Sequence, residues 1–315
     1  MNKLLGLGFA ALVLLAVAYA FSHRPPPPLP PTQISVNSVL LSGAAMAGTR
    51  IVAVGERGSI FLSDDAAKSW RSAPSPTQVL LTAVYFHDAK LGWAVGHDGV
   101  ILRSEDGGAS WKTVRNVPDE RAPLLNLLFV DALNGYAIGA YGLFLETADG
   151  GLTWKQRKIS ENDAHLNAMT ILPGSARMIA GEAGTLLRSD DAGLTWKNLA
   201  APYKGSFFGL LGLHDNSILI FGLRGKIFRS TDKGASWAEI ENKSQATLMA
   251  GTEQALSTVV LVGQGGTVLV SRDHGLSFTP QPHPSGKALS AALPLAGNTW
   301  LLLGEAGVAK TDLKQ

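Results

Sequence analysis

Short apolar runs separated by glycine-rich turns follow one another along this chain, and the same order of runs recurs. The clearest copy has an apolar run at residues 80–86, then runs at 92–95, 100–104 and 111–114. Runs this short, rich in Val, Ile, Leu and aromatics and bounded by Gly, Asp and Ser, predict strands. The second and third are joined by His97-Asp98 between Gly96 and Gly99, which is hairpin chemistry. The third and fourth are joined by Ser104-Glu105-Asp106-Gly107-Gly108-Ala109-Ser110-Trp111.

The second glycine of the Gly-x-x-Gly turn returns at Gly58, Gly99, Gly142, Gly184, Gly225, Gly266 and Gly307, at intervals of 41, 43, 42, 41, 41 and 41 residues. The closing aromatic returns as Trp70, Trp111, Trp154, Trp196, Trp237 and Phe278. A period of about 40–45 residues built from short strands predicts propeller blades. The expected fold is therefore all-β: a seven-bladed propeller of four-stranded antiparallel blades. The seventh copy stops after its third strand, while residues 32–37 precede the first blade without one of their own. An N-terminal strand there is expected to complete blade seven and close the ring, because closure removes an exposed edge.

The third-to-fourth connection, Ser/Thr-x-Asp-x-Gly-x-Ser/Thr-Trp, is an Asp box with a structural task. Its aspartates are Asp65, Asp106, Asp149, Asp191, Asp232 and Asp273. A short carboxylate in a turn accepts nearby backbone N–H groups, glycine supplies positive φ, and Trp buries its ring between neighbouring sheets. Ala67 replaces the glycine in blade one and Phe278 the Trp in blade six. Both changes are expected to weaken turn or packing locally.

The N-terminus changes the picture of where the propeller works. Lys3 precedes an uncharged apolar stretch, residues 4–21, and Ala18-Tyr19-Ala20 fits a small-x-small cleavage site. Residues 1–21 are read as a signal peptide or a membrane anchor. Residues 22–31 form a proline-rich linker, and 32–315 the propeller. The expected location is exported, periplasmic or lumen-like, with a tether to the membrane if residues 4–21 are retained.

Charge narrows the partners. The chain has 27 Lys+Arg and 25 Asp+Glu; without Lys3 and Arg24, residues 25–315 carry 25 of each. No basic excess points to nucleic acid. There is no cysteine, so no disulfide or thiolate metal site. No two of the 7 histidines lie closer than 9 residues, and no metal-binding spacing occurs. A phosphate loop and a Gly-x-Ser-x-Gly elbow are also absent. No metal and no cofactor are expected.

Catalysis finds little support. Repeated acidic turns suggest a sialidase-like glycosidase or carbohydrate-binding propeller, and this is the alternative reading. Such an enzyme needs facing carboxylates, or a Tyr nucleophile with cationic clamps. The inner runs 40–45, 80–86, 124–130, 166–172, 207–213 and 288–293 hold no Arg, Lys, Asp or Glu. Binding is expected on loops instead. One rim collects Arg57, His97, Tyr141 and Arg224 from the short turns. Longer loops at 116–123, 160–165, 201–206 and 280–287 join that rim and carry Asp119, Glu120, Arg121, Tyr203 and Lys204. Arg103, Arg188 and Arg229, each just before the Ser of an acidic turn, repeat on the opposite rim.

Residues 93–111, with Leu81-Thr82-Ala83-Val84-Tyr85-Phe86-His87-Asp88 before them, resemble a blade of the photosystem II stability/assembly factor family. The resemblance extends over residues 32–315. It implies a seven-bladed propeller outside the cytoplasm, monomeric and not an enzyme, that helps assemble a membrane complex. In photosynthetic members the client is a photosystem II reaction-centre subunit, bound through an arginine-rich patch. Arg103, Arg188 and Arg229 match such positions, whereas Leu62, Glu146 and Val270 stand there in blades one, three and six. Bacterial photosynthetic members commonly carry a lipid-modified cysteine, which this chain lacks. In a non-photosynthetic bacterium the implied partner is a different integral-membrane protein, such as an exporter.

Overall fold

The computed structural model describes residues 2–20, 34–117, 122–254 and 257–314. The chain divides into two units, Met1–Gln33 and Ile34–Gln315. In the first, Asn2–Ala20 is a 19-residue helix. Among the described residues no helix is long and apolar enough to cross a membrane.

The second unit is the propeller. Among the described residues six four-stranded sheets and one three-stranded sheet follow in chain order, each an antiparallel meander. Blade two shows the pattern: Leu81–Phe86 innermost, then Gly92–Gly96, Ile101–Ser104 and Lys112–Arg115 outermost. The second strand of a blade is apolar without alternation because sheets cover both its faces. In blade one, Val52 and Val54 pack toward blade two while Ile51 and Ala53 pack toward blade seven. The core is thus seven separate apolar layers, each shared by two consecutive blades. Trp111, Trp154, Trp196 and Trp237 each wedge into one of them, as does Phe278.

Every inner strand carries a register shift after its first residue. A bulge re-aims the skipped side chain, and three blades use it to reach the next. Thr82 Oγ1 donates to the Leu124 carbonyl (2.6 Å), Asn167 Nδ2 to that of Phe207 (2.8 Å), and Ser290 Oγ to that of Leu41 across the ring closure.

The N-terminal strand expected to close the ring, residues 32–37, lies partly outside the described residues. Among the described residues blade seven has three strands, Leu289–Pro294, Thr299–Gly304 and Gly307–Asp312. The described part of residues 32–37 forms no strand: Val36–Ser38 is a 3-10 turn whose Asn37 Oδ1 accepts the Val308 N–H at 3.1 Å. The reason lies in connection length. Fourth strands begin 10–12 residues before the next inner strand, as Arg71 does before Leu81 (81 − 71 = 10) and Lys112 before Leu124 (124 − 112 = 12). Residues 34–38 therefore occupy the place of the connecting loop. The positions counted back to a fourth strand, 29–31, lie outside the described residues, as do Thr32 and Gln33.

Candidate binding rims

The acidic turns close on themselves. In blade three, Thr147 Oγ1 donates to Asp149 Oδ1 (2.8 Å) and accepts the Gly151 N–H (3.0 Å). Asp149 Oδ1 then accepts the Thr153 N–H (2.9 Å), and Oδ2 the Thr153 hydroxyl (2.6 Å). Asp191, Asp232 and Asp273 sit in the same net in blades four to six. Hydrogen bonds from Thr153, then Thr147, hold the Asp149 carboxyl down at about 2; those from Ser236, then Ser230, do the same for Asp232. These carboxylates face their own turns, which suits a scaffold. Ala67 keeps the glycine-type φ of 62° and its N–H still reaches Ser63 Oγ at 2.9 Å, so blade one keeps its turn with a strained residue in it.

The arginines of this rim join blades. Arg103 Nε donates to the Gly150 carbonyl of the next blade (2.8 Å) and Nη1 pairs with Glu105 (2.5 Å). Arg188 Nη1 reaches the Lys233 carbonyl (2.8 Å) and pairs with Asp190 (2.5 Å). Arg229 Nε reaches the His274 carbonyl (3.0 Å) and pairs with Asp215 (2.5 Å). Their side chains are only 14%, 19% and 11% exposed. The remaining blades do the same from other positions. Arg50 donates to the Gly107 carbonyl (3.1 Å), Arg157 to Gly193, Arg272 to Lys314 (2.8 Å) and Lys310 to Ala66 (2.9 Å). All seven blades thus place a cation on a carbonyl of the following blade.

The opposite rim carries the Gly-x-x-Gly tips. Arg57, Asp98, Tyr141, Ala183 and Arg224 occupy them at φ between 51° and 58°. That left-handed region is costly for side-chain-bearing residues other than Asn or Asp. The glycine that follows, such as Gly99 at φ 61°, completes the turn. The glycine before the tip has another cause. Gly96 is extended, but a Cβ there would lie 2.2 Å from the Leu80 carbonyl oxygen. The interblade loops come to this rim, as the Gly142 N–H to the Ala164 carbonyl (3.1 Å) and the Gly184 N–H to the Gly205 carbonyl (3.0 Å) show. Asp119, Glu120 and Arg121 lie outside the described residues.

The four candidates on this rim are exposed. Tyr141, 66% exposed, meets His165 edge to face at 5.0 Å. Arg224 lines a groove of about 450 Å³ with Lys226, Glu239, Glu241 and Gln245. Among the described residues, neither Arg57 nor Arg224 has a hydrogen-bond or ion-pair partner.

One charged residue on an inner strand escaped the sequence reading. Glu253 lies on blade six's inner strand, Leu248–Gln254, a run not included among the apolar ones. Its signal was visible as a Glu in an otherwise uncharged strand. It is the one carboxylate on the described inner strands, so a facing pair across the channel is not formed there. Among the described residues no group of three His, Cys, Asp or Glu side chains is placed to hold a metal.

Residues 108–254 match the family model described as photosynthesis system II assembly factor YCF48. No curated protein matches the chain in sequence. Among solved structures, the propeller is similar to YCF48 bound to D1 peptide, with 16% identity and a TM-score of 0.74 over 94% of this chain and 100% of that one. It is similar also to YCF48 from Cyanidioschyzon merolae, with 16% identity and a TM-score of 0.67 over 90% and 97%. A virginiamycin B lyase from Staphylococcus aureus shares the fold too, with 12% identity and a TM-score of 0.77 over 88% and 96%. At such identities the structures speak for the fold alone. The middle of this chain is thus similar in sequence to that assembly-factor family, and the propeller as a whole is similar in fold to its solved members.

Proposed function

We propose that this chain is a non-enzymatic, exported scaffold that binds a segment of an integral-membrane protein and assists assembly of its complex. The Gly-x-x-Gly tip rim is the binding face. The observation that carries this is a division of labour between rims. The cations of the acidic-turn rim are spent on neighbouring blades, whereas Arg57 and Arg224 stand exposed and unpartnered at strained tips, with His97 and Tyr141 on the same rim. Free guanidinium groups pair with carboxylates in a forked geometry, so the segment bound is acidic or ends in a carboxylate. A related propeller was solved with a D1 peptide, which supports peptide capture as a use of this architecture. The single inner-strand carboxylate and the self-satisfied acidic turns favour this over a glycosidase, which requires two facing carboxylates. The basic, then apolar N-terminus supports export to a periplasmic or lumenal compartment, with residues 1–21 serving as signal or anchor.

The test is crosslinking of the full chain in cells, purification from solubilised membranes and mass spectrometry. One integral-membrane protein is enriched by the wild type and lost on combined Arg57→Glu and Arg224→Glu. Enrichment surviving that change overturns the tip-rim assignment. A wild-type chain that enriches nothing overturns the scaffold reading.

A further inference from the structure

Between blades five and six, on the acidic-turn rim, lies a cluster that neither the turns nor the interblade cations require. Glu253 is 94% buried (side chain 6% exposed) at the end of blade six's inner strand. Its Oε2 accepts the His214 backbone N–H at 2.9 Å and meets His214 Nδ1 at 2.6 Å. Among the described residues its Oε1 is buried without a partner. His274 Nδ1, in the acidic turn of blade six, is likewise buried without a partner. The two orphan atoms are 3.7 Å apart.

A buried carboxylate oxygen and a buried imidazole nitrogen left unsatisfied are costly, more so in a low-dielectric layer. The surrounding charges say what would satisfy them. Facing this site are Glu253 from the inner strand, and His214 and Asp215 from the first hairpin loop of blade five. Arg229 comes from the third strand of blade five, with Nε on the His274 carbonyl and Nη2 on Asp215. Of the neighbours in the same turn, Asp273 is held by Ser271 and Ser277, and Arg272 reaches Lys314. The fixed charges at the site are thus two carboxylates, Glu253 and Asp215, against one guanidinium, Arg229. With neutral imidazoles one negative charge is left over, and one proton cancels it.

We propose that His274, Glu253 and His214 form a proton-operated latch between blades five and six. Proton uptake by His274 converts the 3.7 Å orphan contact into an N–H···O ion pair. With Glu253 already on His214, the loop of blade five and the turn of blade six are then fastened to one inner strand. The sign follows from the partner: a histidine that gains a carboxylate is stabilised in its protonated form. The latch therefore holds below the range in which histidine titrates, about pH 5–8, and releases above it.

The test uses the full chain and compares unfolding midpoints at about pH 5.5 and pH 8 for wild type, Glu253→Gln and His274→Asn. Asn tolerates the φ of 56° at position 274. The wild type is expected to lead both variants by about 2–4 °C more at the lower pH, the shift expected from about one additional kcal/mol in a domain of this size. Amide-exchange protection at residues 212–216 and 272–276, taken relative to the intrinsic exchange rate at each pH, rises on acidification in the wild type only. A lead that is the same at both pH values overturns the latch, whatever its size. If Glu253→Gln does not fold, His274→Asn and His214→Asn decide alone: a pH-independent difference for both refutes the proposal.

Discussion

Replacing Arg103 by Ala separates a clamp from a binding residue. The side chain is 14% exposed, and its Nε donates to the Gly150 carbonyl of the next blade at 2.8 Å. A hydrogen bond from a charged donor contributes about 1.5–3 kcal/mol. That carbonyl also accepts Trp93 Nε1 at 3.1 Å, so the loss orphans no acceptor and falls toward the lower part of that range. The pair with Glu105, whose side chain is 64% exposed, adds little. The expected loss is about 2 kcal/mol. At about 2–4 °C per kcal/mol, the unfolding midpoint should fall by about 4–8 °C. The control is Arg57→Ala on the other rim, expected to lie within about 0.5 kcal/mol of wild type because none of the described residues hydrogen-bonds or pairs with that side chain. Both are read by near-ultraviolet circular dichroism on thermal unfolding. A neutral Arg103→Ala, or an Arg57→Ala that costs as much, would refute the assignment of clamps to one rim and free cations to the other.

Three further outcomes follow from the same geometry. Asp149 and Asp232 are held down at about 2 by their turns, against about 3.9 in an unfolded chain. Their contribution is therefore complete above about pH 4 and lost as pH falls toward 2, and Asp149→Asn should flatten the stability curve across that window in acid titration followed by fluorescence. Gly96→Ala places a Cβ 2.2 Å from the Leu80 carbonyl oxygen, and a loss of about 1–3 kcal/mol or more is expected in urea unfolding although the backbone there is extended. Trp111→Phe gives up the 2.9 Å bond from Nε1 to the Gly108 carbonyl and should cost about 1 kcal/mol or somewhat more without unfolding the blade, since blade six has Phe278 in that place; equilibrium unfolding measures it.

Several features were legible because they are local and repeated. The Gly-x-x-Gly tips, the Ser/Thr-x-Asp turns and the apolar runs depend on neighbours in sequence, so each copy announces itself. Residue spacing also puts the Gly-x-x-Gly tips and the acidic turns at opposite ends of each blade's strands. At the ring closure, residues 34–38 stand where a connecting loop belongs, and local apolarity does not distinguish loop from strand there. The interblade cations are not legible in the repeat. Arg103, Arg188 and Arg229 occupy one repeated position, but Arg50, Arg157, Arg272 and Lys310 do the same work from unrelated positions. A repeat alignment shows three arginines in a row and suggests a patch; the folded ring shows seven cations used against the next blade.

By itself the sequence determined the number of blades, the strand order within each, and the chemistry of both kinds of turn, since short apolar runs and turn stereochemistry act over a few residues. Only the tertiary structure decided which charges remain available to a partner. Whether such a cation is free depends on carbonyls 36 to 57 residues away, or, for Lys310 across the ring, 244. The same holds for Glu253: its two histidines come from different blades, 39 residues before it and 21 after (274 − 253 = 21), and only packing of blade on blade brings them to one carboxylate.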